Sequence, residues 1–301
     1  MRRLQLVVNP CSGGGRGARL LPAVEAALRG AGHDVVVTTT RSLEHADELS
    51  REAVASERIA VAMGGDGTVG RVAGAVAATG GVMGVVPGGR GNDFCRAVGI
   101  SQNSVEACAV LSSGTPQPVD LGMVTSGTGE LPFLGIASVG FDSDVQERVL
   151  TSWLPLGQLT YLYGSLASVA SWRHAIFSYT VDGTPLEVRG WSLAVANSGI
   201  YGGGMRLAPE ASLSDGELDV VASAATGRIA FLRALPKVFR GTHVEEPTIT
   251  VRRGRVVELD ADRPFRVFAD GDPLGTLPAT VTVWPAAVRV LLPGLPGPGG
   301  S

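Results

Sequence analysis

Gly64-Gly65-Asp66-Gly67-Thr68 follows an apolar run at 59–63 and leads into an Ala/Val-rich stretch at 69–78. Glycines between a buried strand and a helix let backbone N–H groups close on an anion, and the helix N-terminus adds roughly half a positive charge. The chemistry of such a turn is phosphate binding. A second junction of this kind follows one strand-helix unit later, where the apolar run 82–86 meets Pro87-Gly88-Gly89-Arg90-Gly91-Asn92-Asp93. A third opens the chain, where the run 4–8 meets Asn9-Pro10-Cys11-Ser12-Gly13-Gly14-Gly15-Arg16-Gly17. A lone glycine-rich turn is more often a plain connector. Three of them, each after a short apolar strand, belong together at the carboxyl edge of one parallel sheet, where they form a nucleotide site. Asp66, Asn92 and Asp93 stand where a metal ion or a ribose would be held. The only lysine of the chain is Lys237, far from every glycine loop, which excludes a P-loop NTPase.

The elements that must position these loops alternate over the first part of the chain. Strands are expected at 4–8, 34–39, 59–63 and 82–86, and helices at 18–31, at 43–55 and from Val69 onward. Short connections of this sort demand right-handed crossovers and a parallel sheet covered on both faces. After Pro116 the texture changes to short β-rich runs at 133–139, 176–181, 192–196, 218–221, 248–251, 256–259, 265–268, 280–283 and 288–292, which reads as an antiparallel sandwich. The expected organisation is an α/β nucleotide domain over 1–118, a β-rich domain over 119–292 whose last strand packs back on the first domain, and a Gly/Pro tail at 293–301.

Composition narrows the partners. A formal net charge of -3 over 301 residues provides no basic field for nucleic acid, and no apolar run approaches the roughly 18–20 residues of a membrane-crossing helix, so a cytoplasmic protein is expected. Three cysteines without a close pair argue against a disulfide framework or a zinc site, and the four histidines have no ligand spacing. The stretch 153–173 sets apolar residues at helical spacing opposite an uncharged polar face; it reads as ordinary core or as a lipid-lining helix with Trp153 and Trp172 at a membrane interface.

With the glycine loops in place, further motifs follow in order: Val119-Asp120-Leu121-Gly122, Gly140-Phe141-Asp142, Asn197 with Gly202-Gly203-Gly204-Met205, Ala208-Pro209, Asp215-Gly216-Glu217-Leu218-Asp219 and Asp270-Gly271. In these residues, over 4 to about 285, the chain resembles the diacylglycerol kinase catalytic-domain family, which includes bacterial lipid kinases and sphingosine kinases, and is more distantly similar to NAD kinases. The resemblance implies a 6-phosphofructokinase-like α/β domain with a C-terminal β-sandwich, a cleft site between them, ATP and Mg2+ as cofactors, and a lipid or amphiphilic hydroxyl acceptor met at a membrane surface. It also makes a homodimer an expectation. The phosphates then fall to Asn9, Ser12, Gly13, Gly14, Gly64, Gly65, Gly67 and Thr68, with Thr40, Arg90, Asn92 and Asp93 around the nucleotide, and Mg2+ falls to Asp66. Asp215, with the carbonyls of Ser212 and Glu217, matches a structural Mg2+ site. The acid that takes the acceptor's proton falls at Asp272.

Four positions depart from the family pattern. Asp272 stands for the usual Glu, withdrawing the carboxylate by one C–C bond, roughly 1.5 Å. Gly70 and Arg71 replace Asn-Glu, and Arg90 replaces a Thr. Two added guanidinium groups are expected to make the site more positive, with Arg90 clamping phosphate or filling the nucleotide's place. Two other readings therefore stay open: a catalytically degenerate nucleotide-binding protein, or a kinase for a non-lipid acceptor such as NAD.

Overall fold

The computed structural model describes residues 1–151, 168–169 and 171–294. The first half runs β1 (Arg3–Val8), α1 (Ser12–Gly30), β2 (Asp34–Thr39), α2 (Leu43–Ala55), β3 (Ile59–Gly64), α3 (Asp66–Ala77), β4 (Val82–Pro87), α4 (Asp93–Ala97) and α5 (Ser104–Ser113). β1, β3 and β4 each bury five consecutive residues, the mark of strands covered on both faces. They pair in parallel in the order β4-β3-β1-β2, so the strand order reverses at β1 and all three glycine loops leave the same edge. Two apolar clusters line the two faces of this sheet: α2 and α3 add Leu49, Val72 and Val76 to one, and α1 and α5 add Val24, Leu28 and Leu111 to the other.

The second half is β-rich: β5 (Thr115–Ser126), β6 (Gly129–Phe133), β7 (Ile136–Gly140), β8 (Ala175–Val181), β9 (Thr184–Ala196), β10 (Leu218–Ala224), β11 (Ile249–Gly254), β12 (Val256–Ala261), β13 (Arg266–Ala269), β14 (Asp272–Thr276) and β15 (Ala279–Leu292). Helices α6 (Phe141–Thr151) and α7 (Arg228–Arg240) interrupt them. The strands form a β-sandwich around Phe133, Phe177, Leu193, Val257 and Val281. The fold is the expected one, an α/β domain with a parallel sheet followed by a β-sandwich.

Three particulars differ from the sequence reading. The runs at 280–283 and 288–292 are one strand, because the Pro285 break is absorbed as a bulge between Trp284 and Val288. Asp120 Oδ1 accepts the Ala286 N–H at 2.6 Å, and Ala286 has φ 49°, so the bulge is held from the facing strand. β15 thus pairs with β12 at one end and in parallel with β4 at the other. The boundary expected at 118/119 falls inside β5, which pairs with β15 along both halves. Trp172 is 8% exposed and packs against Phe141, Trp191 and Phe265, so it does not stand at a membrane interface; 153–167 and 170 of the proposed lipid-lining helix lie outside the described residues.

Candidate active site

Each glycine loop is tied to the next. Asn9 Nδ2 donates to Thr68 Oγ1 at 3.0 Å, and Asn9 Oδ1 accepts the Cys11 N–H at 3.0 Å. Ser12 Oγ accepts the Gly65 N–H at 3.2 Å. Gly88 and Gly89 donate their N–H groups to Gly64 O at 2.7 and 3.0 Å, and Arg16 Nη1 donates to Gly89 O at 3.3 Å. The structure therefore brings Asn9, Ser12, Gly13, Gly14, Gly64, Gly65 and Thr68 together as one surface. Gly13, Gly14 and Gly15 have φ of 62°, 71° and 87°, a turn that L side chains resist, and Gly14 and Gly15 donate their N–H groups back to Cys11 O at 3.1 and 3.3 Å. Thr40 is buried just beyond β2, its N–H donating to Val8 O at 2.8 Å, level with the same edge.

Asn92 and Asp93 serve the loops from behind. Asn92 is buried in a left-handed conformation, accepts the Gly89 N–H at 2.8 Å and donates back to Gly89 O at 3.2 Å, which shapes the third loop. Asp93 reaches the other domain: its Oδ2 accepts the Gly203 N–H at 2.8 Å, and burial, aided by the charge of Asp66, raises its carboxyl above the usual range against that hydrogen bond. Asp66 Oδ1 accepts the Phe94 N–H at 3.0 Å, which commits one carboxylate oxygen to α4. Its Oδ2 lies toward Gly91, 3.2 Å from where a Cβ on that glycine would stand.

The two new guanidinium groups do different things. Arg90 is exposed, its Nη2 3.0 Å from where a Cβ on Gly14 would sit, so a cation overhangs the first glycine loop. Arg71 turns away from the loops: Nη2 meets Asp47 Oδ2 of α2 at 2.9 Å and Glu44 at 3.9 Å. The expected gain of two phosphate-facing charges is therefore a gain of one, because Asp47 answers Arg71.

Gly67, Gly70 and Gly74 lie at i, i+3 and i+7 on α3 and form the face against which the second domain sits. A Cβ on Gly67 would run into Asp272 Oδ2, and one on Gly74 into Pro132 of β6. A Cβ on Gly70 would stand 3.2 Å from Asp270 Oδ2. Asp270, at the β13–β14 turn with φ 54°, accepts the Leu134 and Gly135 N–H groups at 2.8 and 2.9 Å. Burial, and then the charges of Asp66 and Asp272, push its carboxyl up to about 7 against those two hydrogen bonds. Burial also raises Asp272, while Arg71 draws it back down. Asp66, Asp270 and Asp272 thus gather three carboxylates beside the glycine loops, with Arg71 the cation that acts on Asp272 and two backbone N–H groups on Asp270.

The expected structural-metal loop lies at the start of β10. Asp215 is exposed, and its Oδ1 accepts the Glu217 N–H at 3.1 Å; the Glu217 carboxylate faces Arg253 at 3.7 Å, leaving its carbonyl rather than its side chain for an ion. Ser212 Oγ accepts the Ser214 N–H at 3.3 Å. Among the described residues no group of three or more His, Cys, Asp or Glu side chains is placed to hold a metal. Asp120 clamps the neighbouring backbone, accepting Gly216 N–H at 2.7 Å.

Two groups carry no role in the sequence reading. Asp142, quoted there only as part of a motif, bonds Tyr201 and Ser192, and burial pushes its carboxyl up to about 6. Asp47 has no neighbouring motif and acquires its part only through Arg71, on another helix. Cys95 and Cys108 are buried, which pushes their thiols up to about 12 and about 11, and Cys11 is exposed.

Known proteins share this plan. A model described as the diacylglycerol kinase catalytic domain matches residues 3–124, and one described as the YegS C-terminal NAD kinase beta sandwich-like domain matches 135–292. A protein of Mycobacterium tuberculosis named diacylglycerol kinase is 33% identical over 295 residues, covering 97% of this chain and 95% of that protein. A diacylglycerol kinase of Bacillus subtilis is 27% identical over 301 residues, 97% of each chain. The crystal structure of a diacylglycerol kinase from Bacillus anthracis superposes with a TM-score of 0.74 at 21% identity over 97% of each chain, a likeness of fold.

Proposed function

This chain belongs to the diacylglycerol kinase catalytic-domain family, and on that premise we propose that it is an ATP- and Mg2+-dependent lipid kinase, transferring the γ-phosphoryl group to a hydroxyl of diacylglycerol or a related lipid. The observation that carries the reading is the seating of Asp272, a carboxylate of the second domain, against Gly67 at the N-terminus of α3. That contact sets a proton acceptor beside a phosphate loop, the juxtaposition that phosphoryl transfer to an alcohol requires.

The residues divide the work. Backbone N–H groups of the loops at Ser12–Gly15 and Gly64–Thr68 hold the phosphates, those of Ser12, Gly14, Gly15 and Gly65 by exchanging their Asn9, Cys11 and Ser12 acceptors, and Arg90 adds the cation that a lysine supplies elsewhere. Asp272 takes the acceptor's proton as its oxygen bonds to the γ-phosphorus and the bond to ADP breaks. Burial lifts the Asp272 carboxyl toward working pH, which suits a general base. Asp66 would hold Mg2+ through the oxygen that Phe94 leaves free, and Asp215 with the carbonyls of Ser212 and Glu217 a structural Mg2+. Bound beside Asp66, the ion supplies neutralisation of charge on the moving phosphoryl group.

The test is γ-labelled ATP with Mg2+ and a total lipid extract, with label followed into the organic phase. Label is expected with the wild-type protein and absent with Asp66→Ala, and Asp272→Asn is expected to lower kcat about 10²- to 10⁴-fold with nucleotide binding nearly intact. ATP binding without transfer to any lipid would overturn the reading, and conversion of NAD to NADP would replace it.

A further inference from the structure

α7 has two apolar faces, and only one of them is covered. On the inner side Phe231 stacks on Trp191 with ring centroids 3.9 Å apart and meets Phe141 edge-on at 4.9 Å. On the outer side Ile229, Leu232 and Phe239 are 68%, 39% and 54% exposed, with Pro236 exposed between them. These four residues lie at i, i+3, i+7 and i+10, one stripe along the helix. Arg228, Arg233, Lys237 and Arg240 accompany the stripe, and the thirteen residues include no acid. Lys237 pairs with Glu246, whereas Arg228, Arg233 and Arg240 have no ion-pair partner among the described residues. In a chain of net charge -3, this concentration of cations around an apolar stripe is a local feature.

We propose that α7 docks the protein on a bilayer surface bearing anionic phospholipids. Apolar side chains enter the boundary between headgroups and acyl chains while the arginines meet lipid phosphates, the mode of an interfacial amphipathic helix. The charge complementarity decides the occupant, because a second copy of this helix would oppose cation to cation. The proposal rests on the lipid-kinase reading for its purpose and on the helix for its chemistry.

The position of α7 ties docking to the site. Val238 O accepts the Arg206 N–H at 3.0 Å, which joins the end of the helix to the segment following Gly202-Gly203-Gly204. Gly203 in turn holds Asp93 of the third phosphate loop at 2.8 Å. α7 is therefore joined through this segment to the third glycine loop of the candidate site.

Flotation with vesicles tests this without any turnover. Wild-type protein is expected to float with mixed phosphatidylglycerol and phosphatidylcholine vesicles and to stay down with phosphatidylcholine alone. Arg228→Ser with Arg233→Ser is expected to weaken the anionic-vesicle affinity about 30-fold, on the basis of about 1 kcal/mol per cation at such a surface. Ile229→Ser with Phe239→Ser is expected to abolish flotation. Both double variants change exposed side chains, so they keep the wild-type melting temperature and the wild-type rate on acceptor dissolved in detergent micelles. Variants that float as wild type does would overturn the proposal. So would a dimer in solution that Phe239→Ser splits, since a second copy then covers the stripe. A protein that floats through α7 but phosphorylates no lipid would leave docking standing and remove the lipid-kinase reading.

Discussion

Gly67 has no side chain because Asp272 occupies the space where one would begin. Gly67→Ala keeps the backbone N–H of residue 67 but would force the β13–β14 turn off α3, moving the proton acceptor. A fall in kcat of about 10²-fold or more is expected, with the dissociation constant for ATP nearly unchanged; single-turnover rates beside equilibrium nucleotide binding make the check. Asp270 yields a pH prediction for the metal-free protein. Its folded-state carboxyl titrates at about 7, above the ordinary value of 3.8, so between those limits the folded chain holds a proton that the unfolded chain has released. Raising the pH through that window therefore destabilises the fold, by at most about 1.4 kcal/mol per pH unit from this group, and the loss levels off above about 7. Urea unfolding across that range should show a steeper fall for wild type than for Asp270→Asn. That the three glycine loops meet at one sheet edge was legible in the chain because their residues are contiguous and each follows a buried strand. Arg71 was not legible in the same way: its charge is plain, but its partner Asp47 lies 24 positions away on another helix, and only packing decides that the two meet.

At the scale of elements, one carboxylate holds the structural loop and the long strand together. Asp120 accepts from Ala286 N–H in the β15 bulge and from Gly216 N–H before β10, and it is buried. Asp120→Ala leaves two N–H groups without their acceptor and is expected to cost about 2–5 kcal/mol, read as a drop in the urea midpoint at unchanged slope. Strand existence was readable from alternation and apolar runs, and the continuity of β15 was not. Pro285 signals a break in any local reading, and the bulge that carries the strand past it depends on Asp120, 166 positions upstream. α7 escaped for a related reason: Pro236, inside the helix, signals a break in any local reading.

For the whole molecule, β15 makes one sheet of two domains, pairing with β4 of the nucleotide half and with β5 and β12 of the other. Unfolding is expected to be a single cooperative transition. All four tryptophans, Trp153, Trp172, Trp191 and Trp284, follow residue 118, while helices α1 to α5 precede it and only α6 and α7 follow it, so tryptophan fluorescence reports on the second half and helical circular dichroism mainly on the first. Coincident urea curves from the two probes bear this out; separated midpoints would show domains that unfold independently. The two-domain plan and the return of the last strand to the first domain were read from the sequence, but not that β15 would pair in parallel with β4 and make the halves one sheet, because pairing between residues far apart in sequence leaves no local signature. The bare glycine face of α3 also bears on descent. Asp272 is one carbon shorter than the family's usual Glu, and Gly70 lacks the family's amide, whose Cβ alone would stand 3.2 Å from Asp270 Oδ2. A side chain restored at 70 would press first on Asp270, so a lineage that regained one would also have to resettle the β13–β14 turn on which Asp272 stands.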